Sequence, residues 1–276
     1  MAPAIAHFLV GASVFLLVAA PICLRYGIDR EYGLLLIPIG GLWGIIPDFH
    51  NIAPMGTGAL YRFHNSPWVD LFGLHYTLDR TLVREQYLLS VFGAIALFLT
   101  AVGVFWIGFT VYSRITTGRW EVDPVAVSLV STAVSAGYAT VGMAIVVSIQ
   151  DSFGTVAVLV GNDSPLVGGL LLIPLGLGLG VMAAVGMELF VDEALVCDPL
   201  TATGLGFGVG VGYWLVGVAF VVPLWLRLVS DTAVAVPMLH WGSLVICGVF
   251  GTVFGVMYGL VRGLVSSAQP RRLHIQ

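Results

Sequence analysis

No side chain is charged between Glu85 and Arg114, between Asp123 and Asp151, between Asp163 and Glu188, or between Asp198 and Arg227. Each interval exceeds the roughly 20 residues that a helix needs to cross the hydrocarbon core of a bilayer. In lipid the backbone must satisfy its own polar groups, which leaves helices or a closed barrel. These runs are continuously apolar rather than alternating, so they read as helices. The rest of the chain leaves little room for a water-facing surface. Hydrophobic residues make up 58% and charged residues 9%, against about a quarter charged in a soluble domain. The sequence therefore predicts an all-α integral membrane protein, multi-pass in the cell membrane, whose first partner is the lipid bilayer.

Seven spans are expected, at about 6–24, 33–47, 87–112, 125–149, 165–190, 201–226 and 234–262. The second is short and contains Pro38, Gly40, Gly41 and Gly44, which suggests a kinked or partly re-entrant helix packed against protein. Residues 153–160 are too short to cross and read as an interfacial segment. Between spans two and three, residues 68–84 are expected to form an amphipathic helix lying at the interface, with Leu71, Leu78 and Leu82 on one stripe. The chain divides unevenly into a polar-motif-bearing region, 1–86, and a glycine-rich helix bundle, 87–276.

All eleven basic residues are arginine and the net charge is −4. This usage reads as a GC-rich, salt-adapted prokaryotic source, or as plain GC bias. No basic run suggests nucleic acid. With the N-terminus outside, the inner side holds Arg25, Arg30, Arg114, Arg119, Arg262, Arg271 and Arg272, and the outer side Arg62, Arg80, Arg84 and Arg227. That bias favours an outside N-terminus and an inside C-terminus. The Asn162-Asp163-Ser164 sequon falls in an outer loop of the same topology, a triplet common by chance. The first span lacks the positive flank of a cleavable signal and should be retained.

Cys23, Cys197 and Cys247 are far apart and form no metal-type pair, so they read as small buried hydrophobes. Gly204, Gly208 and Gly212 recur every four residues, as do Gly251, Gly255, Gly259 and Gly263. Each set lines one helix face and is expected to let the last two spans approach closely.

The residues that could carry chemistry collect at one membrane face. His7 opens the first span, and Pro47-Asp48-Phe49-His50 closes the second, on the same side because two crossings return the chain there. The 48–86 connection adds His64 within Arg62-Phe63-His64-Asn65-Ser66. It also adds His75 and Asp79, four apart and on one face if that stretch is helical. Neutral imidazoles and carboxylates are ligands that borderline divalent metals accept, zinc foremost. Such an ion lowers the pKa of bound water and makes a hydroxide nucleophile, while a spare carboxylate acts as base. His7, Asp48, His50 and His64 are the candidate metal ligands. His75 and Asp79 are the candidate catalytic residues, His75 being oriented by Asp79. The alternative is that the histidines are interfacial hydrogen bonders.

His7-x3-Gly11, then Gly44-x2-Pro47-Asp48, then a later histidine-and-serine segment resemble the YdjM-like membrane-bound metal-dependent hydrolase family over about the first 80 residues. The family pattern is a Thr-His-x3-Gly-like opening, Pro-Asp-x-Asp-His, and His-Arg-Gly-x-Thr-His-Ser. The resemblance implies that His7, Asp48 and His64 are metal ligands. This chain has His50 where the second aspartate stands, and His64-Asn65-Ser66 without the arginine and the paired histidine.

Among other polar residues, His240 is expected some residues inside the last span, bonded to a neighbouring helix. Glu188 and Asp192 share a helix face that could hold a cation, a solvated helix end being the simpler reading. Arg227 reads as a snorkelling anchor. Two functions remain open from sequence. One is a membrane-embedded metal-dependent hydrolase acting at the interface on a phosphoester or lipid. The other is a non-enzymatic transporter or structural subunit.

Overall fold

The computed structural model describes residues 3–28, 31–118, 123–229 and 234–268; Arg30, Arg119, Arg271 and Arg272, used above to orient the chain, lie outside them. Among the described residues there is no strand, and seven helices are long and apolar enough to cross a membrane. The fold is that of an all-α integral membrane protein. Many large apolar side chains are exposed along these helices, among them Leu88, Phe92, Leu99, Leu166, Leu170 and Ile173. Outward apolar faces of this kind are at home in hydrocarbon rather than water.

The chain forms two compact units, Met1–Trp120 and Glu121–Gln276. In the first, α1 (Ala4–Tyr26) packs along both α2 (Tyr32–Ile45) and α6 (Tyr87–Thr116). The unit that carries the polar region thus extends past residue 86 to take in the third span. Its core is formed by Leu16, Cys23, Ala101 and Phe105, with Ala6, Val10 and Ala94 nearer the polar end. The second span runs as one helix, α2, through Pro38, Gly40, Gly41 and Gly44, rather than as a re-entrant segment, and with the 3-10 turn that follows, Ile46–Asn51, it is long enough to cross. Pro47 sits near the start of that turn. Pro47 has no N–H to lose there.

The 52–86 connection is not one interfacial helix. It is broken into α3 (Thr57–His64), a 3-10 turn at Pro67–Leu71, α4 (His75–Asp79) and α5 (Thr81–Arg84). Pro67 starts the turn, and Gly73 (φ 70°) and Leu74 (φ 60°) then adopt the left-handed conformation that interrupts a right-handed helix. His75 and Asp79 still share the short α4, four residues apart.

In the second unit α7 (Pro124–Ile149) packs on α9 (Pro165–Phe190) and on α13 (Trp241–Ala268). Residues 153–160 form only a short helix, α8 (Phe153–Ala157), and a turn. A four-residue α10 (Glu193–Val196) precedes α11 (Pro199–Gly212). That helix widens through Tyr213–Val221 into α12 (Val222–Val229). The core is built from Ala136, Met143, Leu172, Met187, Phe250, Phe254 and Tyr258.

Two expectations about this unit change. The glycine face of α13 is as read: a Cβ on Gly251 or Gly255 would strike the backbone of α11. The matching face of α11, however, is Ala202, Gly206 and Gly210, whereas nothing lies within 4 Å of a Cβ placed on Gly204, Gly208 or Gly212. His240 is also not inside the last span, because the helix begins only at Trp241, after Pro237. Its Nδ1 accepts the backbone N–H of Ser243 (3.1 Å) and its carbonyl accepts the Trp214 indole (3.1 Å) and the Ser243 hydroxyl (2.7 Å). His240 is a helix cap, satisfying an N–H that the first turn leaves unpaired.

Cys23 and Cys197 are buried and none of the three cysteines forms a disulfide, as expected of small hydrophobes. Glu188, read from sequence as a solvated helix end, is instead paired with an arginine of α13. It accepts from the Arg262 guanidinium (2.8 and 3.1 Å), the Tyr258 hydroxyl (2.7 Å) and the Ser128 hydroxyl (3.3 Å). Arg227 donates to the Val234 carbonyl at 2.7 Å.

Candidate metal centre

The first unit brings all six sequence-selected residues into one cluster. The sequence reason is a backbone-to-backbone crossing. A Cβ on Gly44 would collide with the His7 carbonyl, and one on Gly11 with Gly40 and Gly44. Glycine at both positions lets α1 and α2 touch, which carries His7 and the turn bearing Asp48 to the same point. Gly73 closes the third side, where a Cβ would lie 3.0 Å from the Gly11 Cα. The connection is pinned back onto α2 by the Trp43 indole, which donates to the Leu71 carbonyl (3.2 Å) and stacks on Phe72.

Asp70 was not singled out from sequence, yet it is 2% exposed and sets the start of α4. Its carboxylate accepts the backbone N–H and the hydroxyl of Thr77, each at 2.7 Å. That satisfies a first-turn N–H in the manner of a capping residue. The sequence signal is faint, an aspartate seven residues ahead of a threonine.

His7, His75 and His64 are 1%, 0% and 5% exposed, and the side chains of Asp48 and Asp79 are 18% and 16% exposed. Imidazole nitrogens and carboxylate oxygens face one another at four places. His7 Nε2 is 3.5 Å from Asp79 Oδ1, and His64 Nε2 is 3.3 Å from Asp79 Oδ2. His64 Nδ1 is 3.7 Å and His75 Nε2 is 3.5 Å from Asp48 Oδ1. The His7 and His75 rings stack with centroids 3.8 Å apart.

The tautomers sharpen this picture. A carbonyl oxygen can only accept, so His75 Nδ1, 2.9 Å from the Gly44 carbonyl, carries the hydrogen, and Nε2 is the nitrogen left for the lone pair of a neutral ring. His50 Nδ1 is likewise 3.0 Å from the Pro47 carbonyl, which frees its Nε2. Orientation of His75 therefore comes from the Gly44 carbonyl, in the way that a second partner fixes a metal-ligating imidazole. Asp79, expected in that role, turns its two oxygens toward His7 and His64.

Both His7 nitrogens, His64 Nδ1, His75 Nε2 and Asp48 Oδ1 are buried without a hydrogen-bond partner. Leaving such groups unpaired costs about 1–3 kcal/mol each, so native folds rarely gather them. The separations suit coordination better than hydrogen bonding, which wants about 2.7–3.2 Å for N–H···O. Two ligands of a tetrahedral zinc ion, each at about 2.0–2.1 Å, stand about 3.3 Å apart. Three groups of donors draw within 4.8 Å of one another: His7, Asp48 and His75; Asp48, His50 and His64; and His64, His75 and Asp79. These groups could hold a metal ion, and in them His75 and Asp79 have the same standing as the other four residues.

A ligand must also be deprotonated. Burial, with His75 and His50 alongside, holds the His64 pKa below its ordinary value despite the opposing pull of Asp79 and Asp48. His64 is therefore neutral near pH 7, with a lone pair to give. No family model matches this chain, and no curated protein or solved structure matches it either.

Proposed function

We propose that this chain is a membrane-embedded metal-dependent hydrolase, with zinc as its metal and a phosphoester or lipid as its substrate. The observation that carries the reading is the gathering of orphaned, buried nitrogen and oxygen donors at separations that fit a shared ion. Nitrogen and oxygen donors with no cysteine among them suit zinc in a catalytic rather than a structural setting. A divalent ion held there supplies Lewis acidity and lowers the pKa of water toward neutrality.

The protein's own groups do the rest. His7, His64, His75 and Asp48 hold the centre, and the Gly44 carbonyl keeps the His75 lone pair directed at it. Asp79 is the base that takes a proton from the attacking water, within reach of the same histidines. Phe49, Ile52, Met55, Tyr61 and Trp68 are exposed along the same segment. Apolar and aromatic side chains of this kind settle at headgroup level, which supports a substrate presented by the membrane surface. The resemblance of the His7, Asp48 and His64 segments to the YdjM-like family points the same way.

The test is hydrolysis by the purified full chain in lipid nanodiscs, with phospholipid and bis(p-nitrophenyl) phosphate as substrates. Turnover should require added zinc and fall at least about 100-fold in Asp48→Asn, the scale expected when a metal's supporting group is lost. Turnover independent of zinc, or unchanged in both Asp48→Asn and His64→Ala, would refute the reading.

A further inference from the structure

We infer that the centre takes two divalent ions rather than one, bridged by Asp48; this rests on the metal-centre reading above. The donors form two sets of two histidines that share one carboxylate. Asp48, His50 and His64 make one set, and His7, His75 and Asp48 make the other.

Asp48 Oδ1 lies 3.7 Å from His64 Nδ1 and 3.5 Å from His75 Nε2, one histidine of each set, as a carboxylate between two ions requires. His7 and His50 fall in separate sets, so the donors do not gather about one point. A neutral imidazole has one lone pair. His64 gives Nδ1 to the ion beside Asp48 and turns its Nε2–H toward Asp79, 3.3 Å away, which stays outside both sets as the base. Five ligands also exceed the four that zinc ordinarily takes. In a two-ion site the metals sit about 3.5–4 Å apart and clamp the attacking and leaving oxygens of an in-line displacement. Two dications against two carboxylates leave a net charge of +2, which selects an anionic phosphoester over a neutral carboxylic ester.

The full chain, purified in detergent and stripped with chelator, is loaded with Zn(II) or Co(II), and bound metal is counted by elemental analysis. Two ions per chain are expected, with the Co(II) form showing spin coupling as a loss of resonance intensity per cobalt. His50→Ala, at a half-exposed position, should fall to one ion with an uncoupled signal. One ion per chain in the unaltered protein, with full uncoupled intensity, overturns this inference and leaves the proposed hydrolase standing. No bound ion at all overturns both.

Discussion

The Nδ1 hydrogen of His75 is given to the Gly44 carbonyl, which leaves Nε2 as the atom that faces Asp48. Details of this kind decide what the cluster does, and they respond to pH. The pKa of His64 is lowered in the fold, chiefly by burial. On acidification the unfolded chain therefore takes up a proton at this residue before the folded chain does. The fold loses stability as pH drops below the ordinary value of 6.5 toward the lowered one, and nothing is lost above it. The thermal midpoint of chelator-treated protein should accordingly fall as pH drops below 6.5, and fall less in His64→Gln. An identical pH profile in the two proteins would contradict this account of His64. The histidines and acids of the centre were legible in the sequence because ionisable groups are costly in so apolar a chain. Asp70 was not, because its role depends on a left-handed turn at Gly73 and Leu74 that brings Thr77 back to it. No local pattern announces that turn, least of all at a leucine.

Helix lengths were well marked in the sequence, since runs of apolar residues set them directly, and the spans from 125 and 165 end where expected. Helix faces were not. Residues 204–212 place glycine at every second position, so a four-residue spacing offers two opposed faces and cannot choose between them. Contact with Gly251 and Gly255 falls to Gly206 and Gly210, while Gly204 and Gly208 face open space. Gly206→Leu should therefore lower stability by about 1–3 kcal/mol or more, the cost of overpacking a tight contact. Gly204→Leu should leave it nearly unchanged. Thermal unfolding in detergent reads both, and equal effects would mean that the register of the two helices is misplaced. The interfacial helix between spans two and three failed as one element for a similar reason. A leucine stripe survives interruption by Pro67 and Gly73, so the pattern reports a face without reporting continuity.

Among the described residues, seven helices are long and apolar enough to cross a membrane. Seven crossings with the arginine bias of the sequence predict an N-terminus outside, a C-terminus inside and the cluster at the outer boundary. Reporter fusions after residue 119 and at the C-terminus should both be cytoplasmic; a split result would mean a miscounted span between them. The central claim is that the converging histidines and acids are metal ligands. Zinc-edge X-ray absorption of the loaded, purified chain tests it most directly. The account predicts a shell of nitrogen and oxygen at about 2.0–2.2 Å with imidazole scattering beyond it, and loss of that spectrum when Asp48→Asn and His64→Ala are combined. A sulfur shell near about 2.3 Å, or the same spectrum in the combined variant, would place the metal elsewhere and leave these residues as packing.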